Sequence, residues 1–72
     1  MKNPDFPEIF SGAIPAWAQW LAQDEDGVWW AYEAEPNQQH NGWYENEVGR
    51  VLRLGQAAPP ENWCQMLIRW PA

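Results

Sequence analysis

The sequence predicts a small α+β domain: a three-stranded antiparallel meander with a C-terminal helix and an irregular, proline-rich N-terminal arm. Three observations predict it. Asp26-Gly27 stands between two apolar, aromatic runs, a strong short-range hairpin signal. A polar loop then leads into a further run with alternating apolar residues. Close to the C-terminus, Pro59-Pro60-Glu61 precedes apolar residues at helical spacing. With 72 residues, the chain lies near the lower limit for a core that holds itself together. Its one cysteine excludes an internal disulfide, and Cys64 with the single His40 falls short of a four-ligand zinc site. No metal or cofactor is expected. Dense packing remains, and seven tryptophans, two tyrosines and two phenylalanines supply it, each ring burying roughly 150–250 Å² when enclosed.

Residues 1–15 carry Pro4, Pro7 and Pro15 together with Ser11 and Gly12, a composition suited to an extended arm. Phe6, Ile9, Phe10 and Ile14 are spaced to tack that arm onto the domain, which spans residues 16–72. In the next segment, Trp17, Trp20 and Leu21 fit helical spacing. Residues 17–23 nonetheless read as a strand, because Asp24-Glu25-Asp26-Gly27 and a second apolar run follow at once. That run, Val28 to Tyr32, divides by alternation. Val28, Trp30 and Tyr32 share one face, which reads as core. Trp29, Ala31, Glu33 and Glu35 share the other. Trp29 therefore either packs under the arm, against Phe6, Ile9 or Phe10, or is displayed to a partner.

Residues 36–42 form a polar loop with turn formers at both ends. A third strand is expected in two pieces, Trp43-Tyr44-Glu45 and then Arg50 to Leu54, with a bend between. The last segment fits two templates equally: Trp63, Met66, Leu67 and Trp70 at helical spacing, or Cys64, Met66, Ile68 and Trp70 in alternation. The preceding Pro-Pro-Glu favours a helix from about residue 60 to 69, burying Trp63, Met66 and Leu67 against Trp30, Tyr32 and Leu52.

The net charge is −6, and every acidic residue but Glu61 lies at or before Glu47, whereas Arg50, Arg53 and Arg69 all follow it. Such a surface repels phosphate, which argues against direct nucleic-acid binding, and attracts a basic protein surface. No signal peptide or membrane span is visible, and a single cysteine suits a reducing cytoplasm.

Catalysis finds no foothold. Ser11 is the only serine, threonine is absent, and Cys64 between Trp63 and Met66 reads as a buried, inert thiol. Asp24-x-Asp26-Gly27 opens like a calcium loop but lacks the later oxygen ligands and the closing glutamate. The aromatic residues are more suggestive. Trp29, Trp30, Tyr32, Trp43 and Tyr44 lie in sequence beside Glu33, Glu35, Glu45 and Glu47, the residue types of an aromatic cage for a cation. The expected contact surface combines Trp29 and Trp43 with Glu33, Glu35, Glu45 and Glu47.

Asp26-Gly27-Val28-Trp29-Trp30 resembles the acidic-turn and Trp-Trp segment of SH3 domains. It lacks their tyrosine-rich opening strand and closing Pro-x-x-Tyr, and Val28 is inserted. Over residues 17–50 the pattern Trp17-Ala18-x-Trp20-Leu21-Ala22-x-Asp24-x-Asp26-Gly27-x-Trp29-x-x-Tyr32-Glu33-x-x-Pro36, followed by Gly42-Trp43 and Gly49-Arg50, is similar to small tryptophan-rich acidic proteins of tailed phages and prophages. The resemblance implies a non-enzymatic accessory protein that binds and redirects a host or phage protein, and it assigns no functional residue. The alternative expectations are an acidic nucleic-acid mimic and an SH3-like or Tudor-like peptide-binding module.

Overall fold

The computed structural model describes residues 6–40, 42–45 and 48–71. Within them the chain runs from a 3-10 helix at Glu8–Ala13 through β1 (Trp20–Gln23), β2 (Val28–Tyr32), β3 (Asn37–Gln38), β4 (Trp43–Tyr44) and β5 (Val51–Gln56). A short 3-10 turn at Trp63–Gln65 and β6 (Leu67–Arg69) complete it. A four-stranded antiparallel sheet has the order β5-β2-β1-β6, and β3 and β4 form a separate two-stranded ribbon. The fold is therefore β with 3-10 turns, not α+β, and the expected C-terminal helix is replaced by a turn and a strand.

The β1–β2 hairpin turns at Glu25-Asp26-Gly27. Gly27 N–H donates to Asp24 C=O at 2.9 Å, Asp24 N–H to Val28 C=O at 3.0 Å, and Gly27 takes φ of +94°. Glycine takes this left-handed conformation without steric cost, which is why Asp-Gly signals a tight hairpin. The buried Gln23 secures the turn from below, its Nε2 donating to the carbonyls of Gly27 and Ala58 at 3.0 and 3.1 Å.

Opposite β2, the pairing shifts between Trp29↔Gly55 and Trp30↔Arg53, leaving Leu54 as a bulge. Gly55 is needed there because the Phe10 ring lies over it, and a Cβ would fall 2.5 Å from a ring carbon. In this way the arm becomes part of the domain from Phe6 onwards. Phe6, Phe10 and Ile14 pack on a buried cluster of Ala18, Leu21, Trp29, Ala31, Met66 and Ile68. Leu52, expected to lie under the C-terminal segment, is 42% exposed.

Alternation rather than helical spacing governs the end of the chain. Met66 and Ile68 are buried, Leu67 is half-buried and Arg69 is exposed. Two effects favour the strand. A helix of about ten residues is marginal without extensive packing, whereas β1 offered an open edge. Gln23 N–H donates to Met66 C=O at 3.0 Å and Trp70 N–H to Gln19 C=O at 2.7 Å, so β6 completes β1. The Trp63–Gln65 turn also exposes Cys64, in contrast to the buried thiol expected. The predicted third strand divides as well: β5 joins the sheet, while β4 pairs with β3 (Gln38↔Trp43, Asn37↔Tyr44). Among the described residues no helix is long and apolar enough to cross a membrane.

Candidate functional site

The sheet has two faces, and they are used differently. On the first, Trp29 is 0% exposed, and the Phe6 ring meets it edge to face at a centroid distance of 5.0 Å. Its indole N–H is buried without a hydrogen-bond partner. Trp29 therefore belongs to the core, and the expectation that it forms part of the contact surface is corrected. The covering arm is the reason: Phe6 and Phe10 bring the apolar area that closes this face.

The second face carries Trp30 and Tyr32. Tyr32 is buried and Trp30 is only half-buried, because this side is covered by a smaller element, the β3–β4 ribbon. Trp43 anchors the ribbon. Its backbone N–H donates to Asp24 Oδ1 at 2.7 Å, its indole N–H donates to Gln23 C=O at 3.1 Å, and its ring meets Trp63 edge to face at 6.1 Å. Between ribbon and sheet lies a cleft of about 270 Å³, walled by Trp30, Tyr32, Trp43, Tyr44 and Val51, with Asp24 and Glu45 as its charged groups.

The charges in this cleft are one-sided. Partial burial raises the Asp24 carboxyl above its ordinary value of 3.8, against the lowering effect of the Trp43 amide, and Asp26 adds repulsion. The Trp30 indole N–H also favours the Asp24 carboxylate, but without full hydrogen-bond geometry. The Tyr32 hydroxyl is pushed well above the tyrosine range, first by burial and then by the negative charges of Asp24 and Glu45. No cationic side chain of the described residues lines the cleft.

The predicted site residues thus separate. Trp43 and Glu45 meet in the cleft. Glu33 does not: it forms a bidentate pair with Arg50, with Oε1 accepting from Arg50 Nε at 3.1 Å and Oε2 from Nη2 at 3.0 Å. This holds the Glu33 carboxyl below the usual range. Glu35 is exposed and lies outside the cleft, and Glu47 lies outside the described residues. Asp24 is the cleft residue that sequence reasoning missed, having been read only as a turn former. Its aim at the Trp43 amide depends on a ribbon 19 residues away, a signal local patterning does not carry.

A second depression, about 610 Å³, is bordered by Gln38, Gln39, His40, Trp63 and Cys64. No hydrogen bond joins His40 to Cys64 there, and no group of metal-ligating side chains occurs among the described residues. No protein-family model matches the chain, and no curated protein or solved structure is significantly similar to it.

Proposed function

We propose that this chain is a non-enzymatic interaction protein whose second sheet face receives a basic group of a protein partner. The observation that carries the reading is the cleft itself: four aromatic rings and two carboxylates with no cationic side chain of the described residues among its walls. Ring faces attract cations, more strongly where water is partly excluded. Asp24 supplies a fixed, half-buried charge, and exposed Glu45 draws a basic surface toward it. A reducing compartment such as the cytoplasm suits the exposed, free Cys64. The nucleic-acid-mimic reading draws no support from this arrangement, because Glu33 is neutralised by Arg50 and Asp24 is turned into a cleft.

Association with a lysine- and arginine-rich peptide tests the reading. Binding is expected to weaken steeply between low and physiological salt. Glu45→Lys is expected to slow association more than it speeds dissociation. Binding that ignores salt and Glu45→Lys alike would overturn the proposal.

A further inference from the structure

We propose that the group this cleft accepts is a methylated ammonium, the head of a methylated lysine on the partner, in preference to a bare lysine or an arginine. The inference rests on the reading of the cleft as the recognition site and adds the chemistry of the occupant.

The distribution of donors and acceptors decides it. A bare ammonium is strongly hydrated and brings three N–H donors that must find acceptors when water is removed. The cleft offers mainly aromatic side chains, and its charged acceptors are two carboxylates. Of the Asp24 oxygens, Oδ1 already accepts the Trp43 amide at 2.7 Å, which takes up one of the lone pairs that the N–H groups of an ammonium or guanidinium would use. Glu45 is exposed and hydrated, so it steers a cation more than it desolvates one. Neither indole offers its N–H to the cleft, since the Trp43 N–H is taken by Gln23 C=O and the Trp30 N–H is buried.

A methylated ammonium fits these terms. In its di- and trimethylated forms it retains one N–H or none, its methyl groups bury apolar area against the rings, and its charge is spread over a larger, weakly hydrated surface that ring faces attract. The rest of the molecule marks the contrast. The chain's own guanidiniums lie elsewhere, Arg50 and Arg69 each 5.1 Å from a ring centroid, on Trp17 and Trp20. Arg53 stands across from Trp30 in register, yet it makes no cation–π contact with that ring. Trp30 and Trp43 are thus the large rings of this face left without a cation.

Calorimetric titration with a set of short peptides tests the proposal. The set is identical except for one central residue: trimethyllysine, dimethyllysine, lysine, arginine, or the uncharged tert-butyl isostere of trimethyllysine. The methylated peptides are expected to bind at least about tenfold more tightly than the lysine, arginine and uncharged forms. Asp24→Asn and Tyr44→Ala are expected to remove most of that preference. Equal or tighter binding of the lysine or arginine peptide, still lost in Asp24→Asn, would overturn the methylated occupant while leaving the cleft as the recognition site. Equal binding of the uncharged isostere would show an apolar slot and overturn both readings, as would failure of every basic peptide to bind. Tetramethylammonium alone is expected to bind more weakly than the trimethyllysine peptide. Equal affinity would assign the cleft to a free small cation and overturn the protein-borne source.

Discussion

Two adjacent tryptophans lie on opposite faces of β2 and differ in burial, Trp29 enclosed and Trp30 half-buried. Trp29 is enclosed, and its replacement by alanine is expected to cost about 3–5 kcal/mol, enough to unfold a domain this small. Trp29→Phe is expected to cost much less, since the indole N–H it removes has no acceptor in the core. Chemical denaturation of the two variants measures the difference. Alternation divided β2 into its faces correctly, but both faces carry large rings, and their rank depends on what covers them. Phe6 and Phe10 arrive from one segment and Trp43 from another, so local pattern alone found the buried Val28 and Tyr32 but not that Trp29 is more enclosed than Trp30. Asp24 and Glu33 respond oppositely to acid. Asp24 has a raised folded value, so its contribution to stability is full below the ordinary 3.8 and is lost as pH rises through the raised value. Glu33 has a lowered one, so its contribution is present above 4.5 and is lost as pH falls through the folded value. Asp24→Asn, whose amide oxygen can still accept the Trp43 N–H, is therefore expected to match or exceed the parent's melting temperature at neutral pH. A lower melting temperature would show that the charge itself holds the ribbon.

Among the elements, β6 decides between the two templates that the last segment fits. Gln23 bonding to Met66 and Trp70 to Gln19 fix the ladder phase, so by alternation Ile68 N–H faces β1 and Leu67 N–H faces the open edge. Ile68→Pro is expected to abolish the thermal transition, since it removes a ladder bond and a buried side chain. Leu67→Pro is expected to cost far less. A helix would suffer from both. The β1–β2 hairpin was legible because Asp26-Gly27 states its turn chemistry locally. The β6 pairing was not, because it depends on the free edge of a strand more than 40 residues earlier in the chain. The Phe10–Gly55 contact is of the same kind: Gly55→Ala is expected to destabilise by about 1–3 kcal/mol as the ring is displaced, read as a fall in melting temperature.

For the molecule as a whole, a short chain has divided its aromatic residues between two differently covered sheet faces. One face is closed by the N-terminal arm and supplies stability. The other is partly covered by a small ribbon and keeps an acidic, ring-lined cleft. The sequence showed the residue types of that cleft, and its aromatic–acid neighbourhood, but placed the acids at Glu33 and Glu35 as well as Glu45. Sequence proximity stood in for spatial proximity, and the Arg50 pair draws Glu33 away. The central claim is that the cleft face recognises a cation while Trp29 does not. Indole N–H resonances in a ¹⁵N-correlated spectrum, assigned by single Trp→Phe variants, test it during titration with the trimethyllysine peptide. The account predicts shifts at Trp30 and Trp43 that saturate together and are lost in Asp24→Asn, with the Trp29 signal unmoved. Saturating shifts at Trp17 or Trp20 alone, or a Trp30 signal unmoved while the peptide binds, would contradict it.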